Sequence, residues 1–399
     1  QDRSATLASM DDERHFLSEL KRDCRHFRSE RPCRPHKQRG VVCASCDVYD
    51  PIRERLTIVK LAATGDVLRT TAFLPGLRRK YPGAWIRWLT VPAAAPLFAG
   101  NPYVDELVVG DGIHLPARLA VLPQDLVLCP DADAQTASLA AAIPLRDDGR
   151  RVGFGVDGDG AVIPLSDAAA HWFALGVSDV FKRANRETYQ NLVGAVLELE
   201  TPIVDRPVFV LDDQEVADAN SWLDEARSRS LGATSSIVGL VTGAGRRWPR
   251  KQWTLDGQVA FAKDQLAKGR TVVLYGGPEE TERHDELRAA LPDGAILDAG
   301  TSNSLRSFAA KLSLADIVVT GDTMALHMAT AFGQPVVALF GPTSSSEIEL
   351  YGSGHKVFAE ELDCLCCYAM CDRTPSCMDL IRVERVVESV DDLLATSSV

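Results

Sequence analysis

The chain has 399 residues, too many for one compact core, since single domains rarely grow past about 250–300 residues. Apolar residues make up 46% and charged residues 25%, which excludes a wholly disordered, collagen-like or coiled-coil chain. The net charge of −12 opposes binding to nucleic acid as a whole-surface event.

No apolar run reaches the roughly 18–20 residues that span a bilayer, and no stretch reads as an export signal. The expectation is a cytoplasmic protein, at most peripheral to a membrane. Residues 11–50 are polar and arginine-rich, with one short helix expected near 13–21. They carry Cys24, Cys33, Cys43 and Cys46. Clustered thiols in a reducing compartment point to metal ligation before disulfides. Four thiolates suffice for one structural, tetrahedral Zn²⁺, with free thiols as the alternative. Phe27 alone interleaves the basic residues here, so they read as a solvated face and not as a nucleic-acid contact.

From Arg55 the pattern changes. Residues 56–61, 85–89, 106–109 and 126–129 are short apolar runs that read as strands, and helical stretches separate them. The text turns polar and serine-rich over 201–236, where a domain boundary is expected. Strands at 237–241, 271–275, 317–320 and 335–340 then alternate with helices. Thr254 caps one of these helices, Asn303 or Ser304 opens another, and a third runs over 323–332 and stops at Gly333. Such alternation predicts parallel sheets in two doubly wound α/β domains. The divisions expected are 1–54, 55–215, 216–355 and 356–399, the last holding Cys364, Cys366, Cys367, Cys371 and Cys377. For that second cluster, metal ligation, a labile disulfide and plain packing all remain open.

Ligands of such sheets sit beyond the carboxyl ends of the strands, so four loops matter. Gly65-Asp66 places a carboxylate at a helix start, as base or as simple cap. Thr242-Gly243-Ala-Gly-Arg246-Arg-Trp-Pro offers glycines for close approach and arginines for a phosphate, with Lys251 shortly after. Tyr275-Gly-Gly-Pro-Glu279-Glu ends in acids suited to ribose hydroxyls, or is a solvated turn. Gly321-Asp322-Thr323-Met324-Ala-Leu-His327 runs from a strand into a helix whose first N–H groups suit a diphosphate.

The order and spacing of these segments resemble glycosyltransferase family 9, the ADP-heptose:lipopolysaccharide heptosyltransferases. The first-domain stretch is L-T-I-V-K-L-A-A-T-G-D-V-L-R-T-T, with N-P-Y-V-D after it. In the second domain come G-x-G-R-R-W-P, G-G-P-E-E, G-D-T-x-x-x-H and A-L-F-G-P-T. The likeness spans about residues 55–368 and implies the GT-B fold, two Rossmann-like domains facing a cleft, here with a small cysteine-rich N-terminal module. It implies inverting transfer from a nucleotide sugar, ADP-heptose foremost, with no catalytic metal. The acceptor remains open among carbohydrate, protein and small metabolite. Asp66 takes the place of the general base. Arg246 falls on the donor phosphates and Glu279 on the ribose, while Asp322, Thr323, Met324 and His327 surround the diphosphate. Met324 stands where the family commonly has Gly. The rival readings are a nucleotide-sugar 2-epimerase on the same fold and a non-catalytic zinc-bearing binding protein.

Overall fold

A computed structural model describes residues 10–110, 117–228, 236–245, 249–368, 371 and 373–397. The first sheet holds β1 (Glu54–Val59), β2 (Ala84–Thr90), β3 (Glu106–Val109), β4 (Gln124–Cys129), β5 (Leu145–Val156) and β6 (Val162–Pro164). Its order is β3-β2-β1-β4-β5-β6, and β6 runs antiparallel to β5. The second sheet holds β7 (Ile237–Val241), β8 (Thr271–Tyr275), β9 (Leu297–Asp298), β10 (Ile317–Gly321), β11 (Val336–Leu339) and β12 (Gly354–Val357). Its order, β12-β11-β10-β7-β8-β9, is the same winding read from the other edge. Both sheets therefore reverse direction beside their first strand, between β1 and β4 and between β7 and β10. A crevice opens at each such switch point.

Alternation along the strands builds the layers. Leu56 and Ile58 of β1 point into one core and Val59 into another. On β10, Val318 joins the first core, while Ile317 and Val319 face the C-terminal helix Val383–Ser397. The first core is continuous across both sheets, so the domains share apolar contact. The expected caps form: Thr254 and Ser304 each accept a backbone N–H at the third position of their helices. Gly333 turns at φ +74°, ending helix Met324–Ala331.

Two expected boundaries move. Residue 215/216 falls inside helix Asp213–Ser228, which packs on helix Leu305–Leu312 and so belongs to the second domain. The stretch from 356 is no separate segment either. It begins within β12, and its helix lays Val386 and Val390 on the second sheet.

The true connection, residues 203–212, is an extended strap held by both domains. Val208 N–H donates to Thr71 Oγ1 at 2.7 Å. Arg206 donates to the Thr330 carbonyl at 3.2 Å, and Phe209 meets Phe332 edge-on at 5.7 Å. Arg306 of the second domain donates to the carbonyls of Pro96 (2.9 Å) and Val210 (2.6 Å) and pairs with Glu215.

The N-terminal segment lies against the strand starts of the first sheet, away from the cleft. Arg25 bonds the Ala84 carbonyl at 2.9 Å, pairs with Asp50 and Asp105, and lies over Trp85. The helix expected at 13–21 runs over Met10–Ser18. Cys24, Cys33, Cys43 and Cys46 are half-buried free thiols. Among the described residues no three thiols, imidazoles or carboxylates converge on a common point that would hold an ion. Each thiol is fixed by its own local backbone. Cys24 sits in a bridge with Pro51, Cys33 precedes helix Arg34–Arg39, and Cys43 and Cys46 bracket one tight turn. Among the described residues, no helix is long and apolar enough to cross a membrane.

Candidate active site

Two adjoining pockets lie at the carboxyl ends of the strands. The larger, about 610 Å³, separates the domains. Asp66, Arg69, Trp172 and Lys182 line its first-domain wall, and Lys251, Asp322, His327 and Glu347 line the other. The smaller, about 340 Å³, belongs to the second domain and is mostly apolar, with Val241, Leu305, Phe308 and Met328. Thr323 and Met324 line both. An apolar slot continuous with a charged cleft suits a nucleoside attached to a diphosphate.

Helix Thr64–Thr70 starts directly after the β1 loop and carries Asp66 in its first turn, where the helix dipole favours an anion. Asp66 Oδ1 lies 2.9 Å from Arg69 Nη2, and Arg69 is stacked 3.7 Å from the Tyr189 ring centre. Burial alone would raise the Asp66 carboxyl. Arg69, Lys60 and His327 outweigh it and hold the group down at about 2. Lys60, 3% exposed, grips both oxygens of Asp131 at 2.7 and 2.8 Å, across the β1–β4 switch point. Burial works against the Lys60 charge, but Asp131 holds the ammonium above its ordinary value, so the pair is charged. Burial also pushes the Asp131 carboxyl upward, with Lys60 pulling the other way; contact through both oxygens decides for the ion pair.

Across the cleft, helix Met324–Ala331 points its N-terminus at the same space, and no side chain among the described residues caps it. Its first N–H groups are open to an anion. Lys251 Nζ donates to Asp322 Oδ2 at 2.7 Å beside it. His327 is buried; desolvation and then the Arg69 charge push its imidazole down to about 4, so it is neutral at neutral pH. A neutral imidazole there can serve an anion as a hydrogen-bonding group. Gly65 is where the walls meet. A β-carbon there would stand 3.4 Å from His327 Cδ2 and 3.7 Å from Met324 Cα. Met324 thus packs at the seam where the two pockets join.

The remaining expected residues divide. Gly243 lines the small pocket, and a β-carbon on it would overlap the Glu280 carboxylate. Glu280, buried, accepts the Gly277 N–H at 2.8 Å and lines the pocket, whereas Glu279 is exposed and does not. Of the two acids, Glu280 is the one that lines the apolar pocket, because Glu279 falls on the outer side of the Pro278–Glu280 turn. Thr242 is buried behind the loop, its hydroxyl 3.0 Å from His284 Nε2, and lines neither pocket. Arg246 lies outside the described residues. Gly243→Ala is expected to displace Glu280 and cost about 1–3 kcal/mol, the price of an unmade buried hydrogen bond, measurable by thermal unfolding.

Sequence reasoning missed Arg69, Lys60, Asp131, Trp172, Lys182, Glu280 and Glu347. Only Arg69 had a legible signal, lying three residues beyond Asp66 on one helix face.

Residues 140–377 match the model of glycosyltransferase family 9 (heptosyltransferase). Lipopolysaccharide heptosyltransferase 1 of Pseudomonas aeruginosa is 27% identical over 339 residues, covering 78% of this chain and 86% of that protein. A solved glycosyl transferase family 9 structure from Veillonella parvula superposes with a TM-score of 0.66 at 19% identity, covering 86% of this chain and 98% of that one. E. coli ADP-heptose LPS heptosyltransferase II gives 0.60 at 21% identity, covering 87% and 100%. The two facing sheets have the GT-B architecture of these structures, and the family match spans more than half of the sequence. The chain belongs to glycosyltransferase family 9 and is a heptosyltransferase-like glycosyltransferase.

Proposed function

We propose that the protein transfers a heptose from ADP-heptose to an acceptor hydroxyl with inversion, Asp66 acting as general base and no metal taking part in the chemistry. The observation that carries this reading is the opposition of Asp66 to the uncapped N-terminus of helix Met324–Ala331 across one cleft. A nucleophile at one wall and a leaving diphosphate at the other approach the anomeric carbon from opposite faces, and such a displacement inverts it.

The adenosine would occupy the apolar slot, with Glu280 at its edge. The diphosphate would rest on the helix N–H groups and Lys251, which stabilise the charge that grows as it departs. A carboxylate held at about 2 is a weak base toward a resting hydroxyl. Proton transfer becomes favourable as the attacking oxygen bonds to carbon and turns acidic, so it accompanies attack and does not precede it. The name of the E. coli heptosyltransferase II supports the donor, and the acceptor class is a carbohydrate by the same likeness.

The test is incubation with ADP-heptose and candidate acceptors in the presence of EDTA, with the product's anomeric configuration read by NMR. Inverted product is expected; retention, epimerisation of the nucleotide sugar or dependence on added metal would refute the reading. Lys251→Ala is expected to weaken ADP binding by about 1.5–3 kcal/mol in calorimetry, the scale of a lost charge-assisted hydrogen bond. Arg246→Ala is expected to act in the same direction.

A further inference from the structure

Three carboxylates line the larger cleft: Asp66, Asp322 and Glu347. Asp66 is paired with Arg69, and Asp322 with Lys251. Glu347 is 8% exposed, yet no side chain or backbone group among the described residues bonds its carboxylate. A carboxylate largely withdrawn from water and left to face the cleft without a partner is costly. Burial pushes this one above the usual range; the Arg69 and Lys182 charges pull it down, but Asp322 and Asp66 push it up again.

The side chain is nevertheless held in place. Glu347 lies on the loop between β11 and β12. Its N–H donates to Ser344 Oγ at 3.4 Å, and its carbonyl accepts the Tyr189 N–H of the other domain at 3.0 Å. The loop is fixed further by Lys356, which donates to the Ser345 carbonyl at 2.7 Å, and by Tyr368, whose hydroxyl accepts the Ser344 N–H at 3.1 Å. A backbone anchored to both domains carries an acceptor-only group into a space lined by Trp172, Lys182 and Tyr368. Lys182 Nζ covers one face of the Tyr368 ring, 4.3 Å from its centre, so Trp172 is the aromatic surface in this cleft that suits a polyhydroxylated ring. The apolar face of such a ring lies on an aromatic plate, and its hydroxyls donate to the carboxylate.

We propose that Glu347 binds hydroxyl groups of the transferred sugar and is a specificity-determining residue of the donor half of the cleft. The donor is favoured over the acceptor because Glu347 follows β11, the strand beside β10, whose own loop carries Asp322 and the diphosphate-facing helix. A sugar held by its diphosphate at that helix lies in the same cleft as Glu347. This inference rests on the nucleotide-sugar reading above.

The experiment compares the parent protein with Glu347→Gln and Glu347→Ala, using ADP and ADP-heptose as calorimetric probes alongside transfer kinetics. ADP affinity should be unchanged in both variants, since ADP lacks the sugar. ADP-heptose affinity should fall at least about tenfold in Glu347→Ala, the scale of a lost hydrogen bond to a charged group, and less in Glu347→Gln, which keeps one acceptor oxygen. The KM for donor should rise in parallel while that for acceptor stays constant. Glu347→Gln should also melt at or above the parental temperature at neutral pH, with the gain vanishing in acid. A group whose folded pKa is raised costs stability as it ionises, and the amide removes that cost. Equal losses for ADP and ADP-heptose, a rise confined to the acceptor KM, or no change in either ligand would overturn the assignment. A parent that neither binds nor transfers from ADP-heptose would overturn the donor reading itself, before any variant is made.

Discussion

Asp66→Asn is expected to lower transfer turnover by about 10²–10⁴-fold, the usual worth of a positioned general base, while ADP affinity stays near the parental value. The amide keeps the shape of the carboxylate and most of its hydrogen bonding but cannot take the acceptor's proton. Ala63 is the N-cap and Asp66 the third helical residue, so an activity loss with intact melting temperature separates chemistry from a local structural role. The folded-state pKa of Asp66 is depressed to about 2, so its charge contributes stability at neutral pH that is lost as pH falls from about 4 toward 2. With the side chain 40% accessible, solvent screening keeps that contribution small. For the same reason the acid limb of the rate profile between pH 5 and 8 should not belong to Asp66. Parental turnover in Asp66→Asn would leave Asp66 a structural partner of Arg69 and move the base elsewhere in the cleft.

Asp131→Ala is expected to give the largest loss of stability, about 3–5 kcal/mol, the cost of leaving one member of a buried pair uncompensated. Lys60 would keep only the Ala62 carbonyl, 2.8 Å away, for an ammonium that is 3% exposed. The melting temperature should fall on the order of 10 °C. Replacing both partners, Lys60→Met with Asp131→Leu, should restore most of it, because no charge is then buried. An equal fall in the double variant would mean that packing and not charge dominates. The pair also reaches the chemistry, since Lys60 is among the cations that hold the Asp66 carboxyl down.

Most of the strands legible in the sequence are buried on both faces, the half-exposed β3 being an exception. All seven residues of β2 are buried, and β7, β8, β10 and β11 are nearly so, which gives continuous apolar runs bounded by turns. β5 escaped notice because its first half is Leu-Arg-Asp-Asp-Gly-Arg-Arg, largely exposed, and its register shifts against β4. β6, β9 and β12 are short strands of two to four residues near or at the sheet edges, too brief for periodicity to mark them. The site divides in the same way. Asp66, Asp322 and His327 are adjacent in sequence to the strand ends that present them, so loop position finds them. Glu347 and Lys182 reach the cleft through folding of distant segments, and one sequence carries no trace of that convergence. The cysteine spacing counts thiols and says nothing about where their backbones are fixed; Cys24 and Cys33 are each tied to a different local structure.

The strap at residues 203–212 has a mechanical consequence. Arg306 locks it to Pro96 on one flank, and Arg206 and Val208 bind it to both domains, so the sheets cannot slide apart in parallel. The opposite side of the cleft is tied as well, by the Tyr189 N–H on the Glu347 carbonyl, by Gln190 on the Tyr351 hydroxyl and by Lys182 over the Tyr368 ring. The walls are thereby held at two separate places, so neither the strap nor the β11–β12 loop alone sets the spacing between them.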